Sequence, residues 1–173
     1  MDVLASYAAQ QPDRPALIEG ERRLTWRAFV DERNRTAQAL LRLGLRPGEH
    51  AAVYALNALE VVLVSAAIRA VGAIAVPINH RLAGEEVAWI LDDADAAMVF
   101  IGDDFVPAFE RVRTGRSTVR HVVLLGEARR PWGRPLAALL TAEDPAPVPT
   151  ELENSPGGSM IYTAGTTGKP KGA

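Results

Sequence analysis

The stretch AAVYALNALEVVLVSAAIRAVGAIAVPI, residues 51–78, decides the fold. Ala51 to Leu56 predicts a strand, and Ala58 to Val71 a helix closed by Gly72. Ala73 to Ile78 predicts a second strand. It lacks polar alternation, as expected of a strand covered on both faces. The most apolar part of the chain, Val61 to Ile78, lies inside this stretch. Arg69 interrupts it, Gly72 divides it and Pro77 sits near its end. A membrane helix needs about 20 unbroken apolar residues, so a buried helix followed by a buried strand is the better reading.

Working outward, the pattern repeats. Glu85 to Asp92 reads as helix, Ala96 to Ile101 as strand, Phe105 to Arg113 as helix and Val119 to Leu125 as strand. Such alternation predicts an α/β fold: a mostly parallel sheet with flanking helices. On the N-terminal side, Val3 to Gln11 suits a short helix stopped by Pro12. PALIEGERRLTW, residues 15–26, reads as two short strands turning at Gly20-Glu21. Thr25 is the N-cap of a long helix reaching Leu43. Its apolar face is Trp26, Phe29, Val30, Ala37, Leu40 and Leu41, with Arg33 and Arg35 turned to water. Gly44 suits the C′ position, and Pro47-Gly48 a turn. Beyond Leu125 the regularity fades. Glu127 to Pro135 reads as a loop, and Leu136 to Leu140 as a short helix. Asp144 to Pro156, with four prolines, reads as a stiff surface connector. Ser159 to Thr163 resumes as a strand.

Composition narrows the function classes. The chain has 173 residues, 48% hydrophobic and 23% charged, as in an ordinary soluble globular chain. Its net charge of −2 gives no electrostatic case for a nucleic-acid partner. Cysteine is absent, which excludes thiolate metal sites and fits a reducing compartment. The N-terminus MDVLASYAAQQPDRP has neither the basic region nor the apolar core of a secretory signal. A cytoplasmic setting is expected.

The last predicted strand feeds into YTAGTTGKPKGA, residues 162–173. Glycines let backbone N–H groups approach an anion, threonines add hydroxyl donors, and lysine brings a compact mobile charge. This is the chemistry of phosphate binding. The chain has 19 basic residues, and its only lysines, Lys169 and Lys171, lie here. The segment is not a Walker A loop. That pattern requires glycine where Thr163 stands and Ser or Thr where Pro170 stands. Residue types alone leave a polar hairpin tip as the alternative.

The order of residues goes further. YTAGTTGKPKG resembles the phosphate loop of the adenylate-forming superfamily, usually written YTSGTTGxPKG: acyl-CoA synthetases, adenylation domains of peptide synthetases, and luciferases. The resemblance continues upstream in LTWRAFVDERNRTAQALLRLGLRPGEHAAV, residues 24–53, and IRAVGAIAVPINHRLAGEEVAWILDDADAAMVF, residues 68–100. VPINHRL is nearer to acyl-CoA synthetases than to peptide-synthetase domains, which tend to place Asp where Asn79 stands.

The resemblance implies that residues 1–173 form the N-terminal portion of a large AMP-binding domain, with residues 144–158 as a connector within it. It implies that Thr163, Gly165, Thr166, Thr167, Gly168 and Lys171 hold the β- and γ-phosphates of ATP. Ala164 departs from the usual Ser and removes one hydroxyl, whose bond to a charged group is worth about 1.5–3 kcal/mol, while the backbone donors of the segment remain. Lys169 occupies a variable position and faces solvent. The implied reaction joins a carboxylic acid to ATP as an acyl-adenylate and then passes the acyl group to coenzyme A. Mg²⁺ and lysine offset the charge on departing pyrophosphate. The catalytic residues, the magnesium-binding glutamate and the acid pocket are expected after Ala173, in the remainder of a parent enzyme. The chain alone is then expected to be inactive. Two alternatives stay open: a non-enzymatic module of the same fold that binds an anion or a partner, and part of a peptide-synthetase adenylation domain.

Other chemistry-bearing residues have plainer readings. Asp92, Asp93, Asp95, Asp103 and Asp104 read as solvated turns, and His50, His80 and His121 lack metal-ligand spacing. Arg129, Arg130, Trp132 and Arg134 read as a solvated loop, and Asn57 and Asn79 as turn or cap residues. The last strand, Ser159 to Thr163, is expected to present an unpaired edge and to promote self-association.

Overall fold

A computed structural model describes residues 2–115, 118–141, 144–149, 152, 157–163 and 170–173. The chain opens with α1 (Val3–Gln10) and an antiparallel hairpin of β1 (Pro15–Glu19) and β2 (Arg22–Thr25). Helix α2 (Trp26–Arg42) follows, then β3 (His50–Tyr54), α3 (Leu59–Ala70), β4 (Ile74–Pro77), α4 (Gly84–Asp93) and β5 (Met98–Ile101). A 3₁₀ turn at Asp103–Phe105 leads into α5 (Val106–Glu110), β6 (His121–Leu124), β7 (Arg134–Pro135) and α6 (Leu136–Leu140). The remaining strands have two residues each: β8 (Gly158–Ser159), β9 (Tyr162–Thr163) and β10 (Lys171–Gly172).

Six strands form one sheet in the order β7-β6-β5-β3-β4-β8, and every pairing in it is parallel. The absence of polar alternation has a direct physical reason: both faces are covered. Ala51, Val53, Ala75, Met98, Phe100 and Val123 face a core shared with α2 and α3. Ala52, Tyr54, Val76, Val99, Ile101 and Leu124 face a second core built on α4 and α5. All of these are buried. The strand-helix-strand reading of residues 51–78 therefore holds, with ends shifted by one or two residues.

The local punctuation also holds. The Thr25 hydroxyl accepts the Ala28 N–H at 3.2 Å and caps α2. Gly44 takes φ +81°, a left-handed conformation that suits glycine after a helix. No helix among the described residues is long and apolar enough to cross a membrane.

Three expectations need correction. Arg33 does not face water: it is buried, paired with Asp2, and donates from Nε and Nη2 to Asn34 Oδ1 at 3.0 and 2.6 Å. The face of α2 that carries it is covered by α1 and by the connector. Asp2 also caps α1 by accepting Leu4 N–H, and Asn34 Nδ2 donates to the Pro145 carbonyl at 3.2 Å. The connector, likewise, is not simply a surface strap. Gln38 donates to the Ala146 carbonyl, and Val148 is 5% exposed within the α2–α3 core. Finally, the loop expected at residues 127–135 ends in β7, which extends the sheet beside β6.

Candidate functional site

The expected phosphate segment begins at the sheet's edge. β8 pairs with β4, Gly158 opposite Ile74 and Ser159 opposite Ala75, and Met160 N–H donates to the Ala75 carbonyl at 2.9 Å. The chain thus leaves the sheet in the direction of the strands' carboxyl ends, the side on which open α/β sheets bind ligands. It then forms a separate antiparallel ribbon. Thr163 stands opposite Lys171, and Tyr162 opposite Gly172. Ile161 and Ala173 exchange two backbone hydrogen bonds, at 2.9 and 3.1 Å.

The strand expected over Ser159 to Thr163 is therefore split in two: the first half pairs with β4 and, as the last strand of the sheet, keeps one open edge among the described residues, while the second half pairs with β10. Among the site residues named from sequence, the structure brings Thr163 and Lys171 together, both exposed. A hydroxyl beside an ammonium is a donor set suited to phosphate oxygens. Ala164, Gly165, Thr166, Thr167 and Gly168, together with Lys169, lie outside the described residues.

Tyr162 seats the ribbon. Its hydroxyl donates to Asp93 Oδ2, at the end of α4, at 2.7 Å. Its ring meets Trp89 edge-on, with centroids 6.0 Å apart and planes at 88°. Burial, and then the hydrogen bond to the Asp93 carboxylate, push the phenol well above its ordinary range, so it remains a neutral donor. Gly172 lies against the same ring. A Cβ there would sit 3.0 Å from Tyr162 Cζ and 2.6 Å from Met160 Sδ. The last glycine of the motif thus has a packing reason.

The other candidates fall into structural roles. Asp93 is exposed but is the last residue of α4 rather than part of a turn, and it receives the Tyr162 hydroxyl, a role that sequence reasoning missed. Asp103 accepts the N–H groups of Glu127 and Ala128 at 2.8 and 3.1 Å. Asn79 Oδ1 accepts the Arg81 N–H and fixes a turn, as expected. Trp132 is engaged with α5: Nε1 donates to Glu110 at 3.1 Å, and its ring packs on Phe109 and under Arg113. Arg129 folds back on the Glu127 and Ala128 carbonyls. Among the described residues, no group of three His, Cys, Asp or Glu side chains is placed to hold a metal ion. A crevice of about 200 Å³ opens after β3, β5 and β6, lined by Leu56, Val61, Asp103 and Leu125. It lies where strand order reverses, with β4 between it and β8.

The sequence pattern of the family described as AMP-binding enzyme matches residues 4–173, nearly the whole chain and all of the ribbon. The chain belongs to that family. Among its relatives is a crotonobetaine/carnitine–CoA ligase of Salmonella paratyphi A, 34% identical over 169 residues, covering 92% of this chain and 33% of that protein. Among solved structures, the anthranilate CoA ligase AuaEII in complex with anthranoyl-AMP superposes with a TM-score of 0.92 at 29% identity, over 99% of this chain and 33% of that one. A fatty acyl CoA synthetase of Mycobacterium tuberculosis superposes at 0.84 and 28% identity, over 98% and 32%. The chain spans about a third of the length of these AMP-binding relatives. Its parallel sheet with flanking helices is the fold of their matching portions.

Proposed function

We propose that this chain is the N-terminal portion of an ATP-dependent acid–thiol ligase of the acyl-CoA synthetase kind, and that residues 163–171 hold the phosphates of ATP. The observation that carries the reading is the pairing of Thr163 with Lys171 at the carboxyl side of the sheet, in a chain of the AMP-binding family. Residues 1–173 are then part of one large domain, with 144–158 as the connector that leads into the site. ATP supplies the adenylyl group and the pyrophosphate leaving group, and Mg²⁺ offsets phosphate charge. This chain's own task is to bind and orient the β- and γ-phosphates. Lys171 offsets charge as pyrophosphate departs, and the Thr163 hydroxyl donates to a phosphate oxygen. Thr166, Thr167 and the glycines Gly165 and Gly168 complete the set, with backbone donors also at Ala164. The relatives are named for chemically different acids, so the substrate class is carboxylic acid, with coenzyme A as acyl acceptor.

The test is carboxylate-dependent ATP–pyrophosphate exchange by the enzyme that contains this segment. Lys171→Met is expected to lower exchange about 10- to 100-fold, the equivalent of one lost bond to a charged group. Lys169→Met, at the position the family motif leaves variable, is expected to change it less than about three-fold. Equal effects of the two substitutions, or none from Lys171→Met, overturn the assignment. The 173-residue chain by itself is expected to give no exchange.

A further inference from the structure

The ribbon that carries Thr163 and Lys171 is small. β9 and β10 have two residues each, and a lone two-stranded ribbon is marginal in water. Ile161, just before it, is 56% exposed and contributes little to seating it. Among the described residues, the contacts that join the ribbon to the body centre on Tyr162. The ring packs with Met160 against the core built on α4 and α5, with Trp89 at its edge. Gly172 of the opposite strand rests on the same ring. At the far end of the ring, the hydroxyl donates to Asp93 Oδ2 at 2.7 Å. One side chain therefore touches both strands of the ribbon and fixes them to the end of α4.

We infer that Asp93, acting through the Tyr162 hydroxyl, is a positioning residue for ATP: α4 seats the ribbon and so holds Thr163 and Lys171 at a fixed place on the sheet's edge. The inference rests on the phosphate-binding reading of residues 163–171. Its physical basis is preorganisation. A ribbon free to shift must be ordered again when it meets phosphate, and that cost weakens binding. The contribution should fall on ATP and not on the acid, because Tyr162 precedes the phosphate segment directly. Asparagine at position 93 keeps a carbonyl acceptor for the same hydroxyl, whereas alanine keeps none.

The experiment has two arms. In the enzyme that contains this segment, Tyr162→Phe and Asp93→Ala are each expected to raise KM for ATP about three- to ten-fold, from loss of one hydrogen bond. KM for the acid is expected to stay within about two-fold, and Asp93→Asn to recover most of the loss, because its carbonyl still accepts. In the 173-residue chain, hydrogen exchange at the Ile161 and Ala173 amides is expected to quicken by a similar factor in Tyr162→Phe, with Val99 in β5 unchanged, since local opening is independent of the buried sheet. Unchanged exchange at Ile161 and Ala173 overturns the inference, whatever nucleotide binding shows. Quickened exchange with an unchanged KM for ATP also overturns it, since the ribbon would then be loosened without consequence. Failure of the parent reading looks different: Lys171→Met would be silent in pyrophosphate exchange while the amide exchange still reported a seated ribbon.

Discussion

The centre of the sheet and its β8 edge are held by different physics. From Met98 to Ile101, every residue of β5 is buried, and side chains alternate between two apolar cores. Geometry there follows from burial, which is large, non-directional and spread over many contacts. At the other end, β8, β9 and β10 contribute two residues each and are largely exposed. Geometry there depends on a few directional contacts and on places where a side chain is missing. The difference separates stability from site formation. The body can remain folded while the proposed phosphate end is misplaced, and the residues proposed to bind phosphate need no large apolar surface of their own.

Substitutions break this contrast in graded ways. The largest expected effect is at the centre. Phe100→Ala removes a fully buried ring and is expected to cost about 3–5 kcal/mol, read as a lower urea midpoint for the whole chain. Next is Arg33→Met, which breaks the pair with Asp2 and strands Asn34 Oδ1. The expected cost is about 3 kcal/mol, at the low end for a buried pair because the Asp2 side chain keeps 17% exposure. It should loosen α1 and residues 144–149 together, which amide exchange would resolve.

Gly157→Ala tests the edge itself. A Cβ there would lie 2.2 Å from the Arg69 carbonyl oxygen, a backbone atom that cannot swing away. About 1–3 kcal/mol is expected, as for overpacking, with amide exchange quickened at Met160, whose N–H bonds β4. An edge that stays protected would contradict the contrast.

The smallest effect concerns pH. Arg120 Nη2 donates to Glu49 at 2.7 Å and holds that carboxyl below its ordinary range. A depressed folded-state pKa means the contribution is present above the unfolded value, about 4.3, and is lost as pH falls through the folded one. Both side chains are part-exposed, so Glu49→Gln is expected to cost at most about 1 kcal/mol at pH 7. The difference from the native chain should shrink as pH falls below about 4.3 and vanish once Glu49 is protonated in the folded chain as well. Denaturant titrations at pH 7 and at pH 3 check this.

Most of the fold was legible because it is written locally. Residues 51–78 show a covered strand, a helix and another covered strand within one apolar run, and Thr25 and Gly44 punctuate α2 by their own chemistry. What was not legible depends on distant partners. The burial of Arg33 requires Asp2, 31 residues away, and a connector more than 100 residues away. β7 has two residues, too few for any periodicity, inside a polar loop. At the proposed site, the order of residues in 162–172 singled out Thr163 and Lys171, which the structure sets opposite each other across the ribbon. The Tyr162–Asp93 bond spans 69 positions, and nothing around Asp93 signals it.

The most direct test is a structure of the enzyme containing this segment with ATP bound. Thr163, Thr166, Thr167 and Lys171 are expected to lie within hydrogen-bond reach of the β- and γ-phosphates, with the ribbon still seated on Asp93. A nucleotide bound elsewhere, with Lys171 directed into solvent, would contradict this placement.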